Sequence, residues 1–408
     1  MSSNESLLPT VMLRPGEADR VVGGHPWVYK GSILRVVQPA ADGDLVQVKD
    51  HRHRMLGVGF FNSKSKIHVR MLDPERVDVD RGFFESRIEA ALAVRRRHMP
   101  GASSFRVVNA ESDSLSGLIV DKYEDVLVIQ TSSLGMDQRK EMILDVLQSL
   151  FSPRAIVERN EIGSRKFEGM EEAKGVVRGE LSEEEMSRLP IQLNGLKFSV
   201  DLIGGHKTGL YLDQQLNHMA VARFAKGAHV LDCFTFLGGF ALHAARAGAA
   251  RVIGIDQAAD AVASARRNSE VNQLEANSTF EEANVFDWLK AETAVRPHER
   301  VVPRFDMIVL DPPSFTRNRA SVQDALRGYK EIHLRALKLL KRDGVLATFC
   351  CSHHIHAALF QEVIADAAFD ARRVLRRIDT YSQSPDHPVI PSIPETEYLK
   401  GFAFEVAR

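Results

Sequence analysis

A chain of 408 residues is too long for one compact core and predicts two or three domains. Hydrophobic residues make up 44% and charged residues 26%, an ordinary globular balance, and no run approaches the ~18 apolar residues of a membrane span. Lys plus Arg number 53 against 54 Asp plus Glu, so the net charge of −1 excludes a globally basic nucleic-acid binder and leaves only local patches for such contacts.

Residues 1–10 read as a polar, frayed tail with neither a charged n-region nor an apolar h-region. From Val11 to about Arg76, short runs such as Leu45-Val46-Gln47-Val48 and Ile67-His68-Val69-Arg70 predict a small β-barrel. This segment carries eleven Lys or Arg against seven Asp or Glu, a local surplus of four. Residues 77–190 read as an α+β domain. Its elements are a helix over Gly82–His98, strands at Leu118–Asp121 and Val126–Gln130, a helix from about Met136 to Leu150, and a strand at Ala155–Glu158. The basic end of the first helix, Arg95-Arg96-Arg97-His98, either complements the helix dipole or contacts nucleic acid. The charged stretch Leu181–Pro190 marks a domain boundary.

Residues 191–408 alternate strand and helix. Strands are expected at Val230–Asp232, Val252–Asp256, Met307–Leu310 and Gly344–Phe349, with helices near Gly239–Ala247, Ala258–Asn272 and Ser321–Leu340. Runs buried on both faces and joined by helical crossovers predict a parallel sheet. Tyr398–Val406 alternates and reads as an antiparallel edge strand.

Three strand ends carry chemistry. The first, Val230 to Phe240, passes through Gly238-Gly239, where a missing Cβ permits close backbone approach to a ligand. Without the three-glycine form that seats a pyrophosphate, and with Phe234, Phe236 and Phe240 around it, this turn suits a ligand lacking phosphates. Asp256 ends the next strand, where a carboxylate accepts both ribose hydroxyls, and Asn284-Val285-Phe286-Asp287 follows to edge an adenine ring. Adenosine without pyrophosphate points to S-adenosylmethionine.

The other two ends are Asp311-Pro312-Pro313-Ser314-Phe315 and Cys350-Cys351-Ser352-His353-His354. A thiol adding to C6 of a pyrimidine makes C5 nucleophilic, and a carboxylate such as Asp311 supplies the contact at ring N3. Adjacent cysteines alternate across a strand, so only one faces the crevice, and spacing does not decide which. Cys233 reads as core. His353-His354 beside two thiols does not match zinc-ligand spacing, so no metal is expected, and either histidine is a candidate base for the C5 proton. The three cysteines form no disulfide framework and fit a reducing cytoplasm.

These motifs, with Gly205-His206-Lys207-Thr208-Gly209-Leu210-Tyr211-Leu212-Asp213-Gln214-Gln215, resemble the bacterial 23S rRNA (cytosine-C5) methyltransferase family of the rRNA large subunit methyltransferase I type. Gly23–Tyr29 is similar to the start of that family's RNA-binding PUA domain. Asn109–Asp113, Lys166–Met170 and Asp386–Val389 are similar to its middle and C-terminal segments, so the resemblance covers nearly the whole chain.

The resemblance implies an α/β fold: a Rossmann-like class I S-adenosylmethionine-dependent methyltransferase sheet, preceded by a small PUA-like β-barrel and a small α+β middle domain. It implies Cys351 as nucleophile with Asp311 beside it. The implied cofactor contacts are Phe234, Thr235, Gly238, Gly239, Asp256, Asn284, Val285 and Asp311, with Tyr211 and Gln214 from the polar loop. RNA contacts are expected at Trp27, Lys30, Arg52, Arg54, His206 and Lys207. The partner is 23S rRNA, and the reading leaves room for a homodimer. Two departures stand out: Ser314 replaces the usual Lys after Asp-Pro-Pro, and His353 replaces the usual Gly after Cys-Ser. Uracil-C5 methylation and an RNA-binding protein with an inactive methyltransferase half are the rival readings.

Overall fold

The computed structural model describes residues 8–205, 208–296, 298–316 and 319–407. The expectations placed on the tail before Leu8 and on His206 and Lys207 lie outside them. The chain divides into two compact units. The first comprises Met1–Leu189, Val200–Leu212 and Pro385–Thr396, and the second Pro190–Ser199, Asp213–Ser384 and Glu397–Arg408. Among the described residues no helix is long and apolar enough to cross a membrane.

The first unit begins with six strands: β1 (Thr10–Leu13), β2 (Trp27–Tyr29), β3 (Ile33–Val36), β4 (Leu45–Lys49), β5 (Met55–Phe61) and β6 (Ile67–Asp73). They form one sheet in the order β2-β6-β5-β4-β1-β3. Period-two burial makes β4 a strand: Val46 and Val48 are buried while Leu45, Gln47 and Lys49 are only half-buried. Helix α1 (Arg81–His98) starts where the Asp80 carboxylate accepts the Phe83 N–H. Its buried face is Phe84, Ile88, Ala91, Leu92 and Arg95, a helical spacing. Arg95 serves the interior: its guanidinium pairs with both Asp113 oxygens at 2.6 and 2.7 Å and donates to the Asp386 carbonyl at 2.7 Å. Arg96 and Arg97 remain exposed.

A second sheet runs β11-β10-β9-β8-β7, built from β7 (Ser104–Asn109), β8 (Leu118–Tyr123), β9 (Val126–Thr131), β10 (Ala155–Arg159) and β11 (Lys174–Gly179). The helix read from Met136 is shorter in the structure. Leu134–Asp137 forms a separate turn, and α2 spans Lys140–Phe151. Asp137 explains the break, because its Oδ1 accepts from Thr131 Oγ1 (2.6 Å) and Arg165 Nη1 (2.9 Å) and so ties that turn to the sheet.

A hairpin of β12 (Leu189–Leu193) and β13 (Leu196–Val200), all but its end residues Leu189 and Val200 in the second unit, precedes the main sheet. That sheet contains β14 (His229–Cys233), β15 (Arg251–Asp256), β16 (Ser278–Glu282), β17 (Phe305–Leu310), β18 (Leu340–Cys350), β19 (Leu375–Tyr381) and β20 (Lys400–Val406), in the order β16-β15-β14-β17-β18-β20-β19. The first five positions are parallel, and the chain reverses its direction of strand addition at β14 and β17, a topological switch point. Helices α3 (Gln215–Ala222), α4 (Gly239–Arg246), α5 (Ala259–Val271), α6 (Val285–Glu292), α7 (Val322–Leu339) and α8 (Ala357–Asp370) complete the unit.

β20 is antiparallel, as its alternation predicts, but it is not an edge. It pairs with β18 on one side and β19 on the other. Six of its seven residues are buried, which an edge position does not provide. The true edge is β19, Leu-Arg-Arg-Ile-Asp-Thr-Tyr, whose charged residues blunt its open side and hid it from a search for apolar runs.

Candidate active site

The parallel register brings Ile255, Cys233, Leu310 and Thr348 into one row across β15, β14, β17 and β18. The residues that follow form the carboxyl rim of the sheet: Asp256, Phe234, Asp311 and, three places beyond Thr348, Cys351. One strand spacing separates the Asp311 and Cys351 strands, and three spacings, roughly 14 Å, separate the Asp256 and Cys351 strands.

The turn after β14 is tightly wound. Phe234, Phe236 and Gly238 all have positive φ (65°, 50° and 86°), and the Gly238 N–H returns to the Thr235 carbonyl at 2.8 Å. Asp232, fully buried beneath, accepts from Thr235 Oγ1 (2.6 Å) and the Ala241 N–H (3.0 Å) through one oxygen. Burial pushes its carboxyl up to about 7, opposed by those two hydrogen bonds and reinforced by the Asp256 charge. Packing adds a second reason for glycine at position 239. A Cβ on Gly239 would sit 2.6 Å from His218 Nε2, so that space belongs to His218. Phe240 likewise faces inward, edge-on to His218 at 4.6 Å and against Phe349 at 5.0 Å.

Asp256 is half-buried. Its Oδ2 accepts the Phe236 N–H and its Oδ1 the Ala258 N–H, both at 3.0 Å. A carboxylate offers about four acceptor sites, so each oxygen keeps one for a hydroxyl donor. The residue therefore fits a ribose diol. Asn284 is the cap of α6, its Oδ1 accepting the Phe286 (2.9 Å) and Asp287 (3.3 Å) N–H groups, and Val285 is 2% exposed within the core. Tyr211 is half-buried in the first unit, whereas Gln214 belongs to the second.

Gln214 is buried and joins two parts of the rim. Its Nε2 donates to Asp311 Oδ1 at 3.1 Å, and its Oε1 accepts from Asn217 Nδ2 at 2.7 Å. Beyond Asp311, Phe315 anchors the proline turn by stacking near Tyr329 (4.6 Å), Phe286 (5.6 Å) and Phe234 (6.4 Å).

Cys350 is fully buried in the core with Tyr329, Ile355 and Phe360, whereas Cys351 is half-buried at the strand end. Cys233 is also fully buried, and burial raises its thiol well above the ordinary range. Ser352, next in the chain, is buried. Its Oγ lies 2.9 Å from Ser314 Oγ and 3.3 Å from Tyr329 OH, so the two strand-end loops are laced together by hydroxyls. Burial, foremost, pushes the Tyr329 phenol up, so it stays protonated. Ser314, which the sequence marks only as a departure, thereby has a structural partner. Lys400, which no sequence signal singled out, donates to the Ser352 carbonyl at 2.7 Å. His353 and His354 are exposed, with the His353 ring 5.7 Å from that of Tyr398. Among the described residues no group of three or more His, Cys, Asp or Glu is arranged to hold a metal.

The RNA candidates of the first unit differ in exposure. Lys30, Arg52 and Arg54 are exposed, and the Asp50 carboxylate organises the β4–β5 turn by accepting the Arg52 and Arg54 N–H groups at 2.9 and 2.8 Å. Trp27 is half-buried, and its indole N–H already donates to Glu111 Oε1 at 3.0 Å.

Residues 11–74 match the PUA-like domain family, and residues 175–395 match the S-adenosylmethionine-dependent methyltransferase family. The chain is 38% identical over 406 residues to the ribosomal RNA large subunit methyltransferase I of Klebsiella pneumoniae subsp. pneumoniae, covering 98% of this chain and 99% of that protein. It is 37% identical over 401 residues to the protein of the same name from Vibrio vulnificus, covering 97% and 99%. Among solved structures, SMU.776 complexed with SAH superposes with a TM-score of 0.81 at 22% identity, covering 97% of this chain and all of that one. At that identity the superposition speaks for the fold alone. The chain therefore belongs to the rRNA large subunit methyltransferase I family, with a PUA-like domain and a class I methyltransferase sheet that uses S-adenosylmethionine.

Proposed function

We propose that the protein methylates C5 of a cytosine in 23S rRNA through a covalent bond between Cys351 and C6. The relatives' name supplies the substrate class, large-subunit rRNA. The observation that carries the chemistry is the contrast between neighbouring thiols: Cys350 has no exposure, whereas Cys351 opens at the rim one strand from Asp311.

Asp256 would hold the ribose of S-adenosylmethionine, and the Phe234–Gly238 turn its backbone-facing side. When bound, that cofactor supplies an electrophilic methyl group. The Cys351 thiolate adds to C6, the π pair moves to C5, and Asp311 holds the N3 edge by a proton-sharing hydrogen bond, oriented by Gln214. Once C5 carries the methyl group, a base removes the C5 proton, the C5–C6 double bond re-forms and the Cys351–C6 bond breaks. Both histidines after Ser352 are exposed at the rim and suit that base.

Phosphate contacts from Lys30, Arg52 and Arg54 would deliver the RNA. A cytoplasmic location accords with three cysteines outside any disulfide and an rRNA substrate. Mass spectrometry of rRNA nucleosides from a deletion strain tests the reading. Loss of one 5-methylcytidine from 23S rRNA supports it, and loss of a 5-methyluridine or of no methylated base refutes it.

A further inference from the structure

Lys400 is only 8% exposed, at the first position of β20. Antiparallel pairing sets it opposite Cys350, and its ammonium donates to the carbonyl of Ser352 at 2.7 Å. The ammonium is thus bonded to the residue after Cys351, while the Lys400 backbone lies opposite the residue before it. A buried ammonium is costly unless an anion or strong acceptor faces it. Here burial, foremost, pulls Lys400 below the usual lysine range, while Cys350, Cys351 and Glu397 pull it back up. The other groups facing this strand end are the Tyr329 phenol from α7, Asp311 after β17, and His353 near Tyr398, whose hydroxyl donates to Asp213 Oδ2 at 2.6 Å.

We propose that Lys400 is a positioning residue for the nucleophile: its charge stabilises the Cys351 thiolate, and its bond to Ser352 fixes the turn that carries the thiol. This rests on the reading of Cys351 as nucleophile. A neighbouring ammonium lowers a thiol's pKa, and Cys351, half-buried at the strand end, is the thiol open to solvent and substrate, whereas Cys350 has no exposure. On deprotonation the thiol proton passes to solvent, and the anion is left beside the ammonium that burial had penalised.

The test is the pH dependence of iodoacetamide alkylation at residue 351 of the full chain, read by mass spectrometry. In the wild type the inflection should fall at least about one unit below the ~8.5 of an ordinary cysteine. Lys400→Met should raise it and slow alkylation at pH 7 by about tenfold, and Lys400→Arg should restore most of the rate. An ordinary or raised inflection in the wild type overturns the inference without any variant. So does an unchanged inflection in a Lys400→Met protein that still binds S-adenosylmethionine. If instead the inflection behaves as expected but Cys351→Ala retains turnover, the thiol coupling stands and the covalent reading falls.

Discussion

Gln214 donates its side-chain amide to Asp311 at 3.1 Å while accepting from Asn217. An amide in this place orients Asp311 without competing for the proton it shares with the N3 edge. A carboxylate there would force the two groups to share a proton. Gln214→Glu should therefore cut turnover by on the order of tenfold at pH 8, with recovery toward pH 6 as the pair gains its proton. A pH–rate profile identical to wild type would remove Gln214 from the rim's working set.

Asp256 has two tasks, and its substitution should show both. Asp256→Ala should weaken S-adenosylmethionine binding by roughly 2–3 kcal/mol, as for charge-assisted hydrogen bonds. It should also cost about 1 kcal/mol of stability, because the Phe236 and Ala258 N–H groups lose their acceptor. Calorimetric titration and thermal unfolding read these separately. Unchanged affinity would remove the ribose assignment.

Burial dictates the acid response of the second unit. His243 and His333 are held down to about 4 and His218 well below its ordinary value, in each case chiefly by burial. Each takes up a proton in the unfolded chain below about pH 6.5 that the folded chain refuses, so its stabilisation is present above 6.5 and lost as pH falls. Asp232, raised to about 7, has the opposite sign: its contribution is full below about 4 and lost as pH rises through 7. Three groups outweigh one. Stability should rise with pH between about 4.5 and 6.5, on the order of 2 kcal/mol per unit, and Asp232→Asn should steepen that rise. Unfolding midpoints that are flat or fall across the window would contradict this burial pattern.

Trp27 and Arg52 should separate structure from RNA contact in the first unit. Arg52→Ala removes an exposed cation and should lower the slope of log K against log salt by about 0.7 for single-stranded RNA. Trp27→Phe breaks the bond to Glu111 and should cost about 1 kcal/mol of stability with little change in RNA affinity. Filter binding across a salt series distinguishes them, and a large affinity loss in Trp27→Phe would make the indole a base-stacking contact.

The strand ends were legible because each motif closes an apolar run, so Asp256, Asp311 and the paired cysteines could be placed before any coordinates. What stayed hidden depends on pairs distant in sequence. Lys400 reads as one charge in an alternating strand, and only the β18–β20 register sets it opposite Cys350, one residue before the nucleophile. Ser314 reads as a lost cation, yet its partner Ser352 lies 38 residues on. Gly239 reads as room for a ligand, and the sequence does not reveal that a Cβ there would also strike His218 from another helix. The charged strand β19 carries no apolar run, so the alternation of β20 reads as that of an edge.

A covalent bond between Cys351 and the target base can be trapped. The most direct measurement is adduct formation with rRNA fragments carrying 5-fluorocytosine, in which fluorine at C5 blocks release of the thiol. Wild type and Cys350→Ala should form a covalent protein–RNA species that peptide mapping places on Cys351, and Cys351→Ala should form none, with turnover down at least ~10³-fold. An adduct on Cys350, or methyl transfer that proceeds with no adduct on either thiol, would contradict the account.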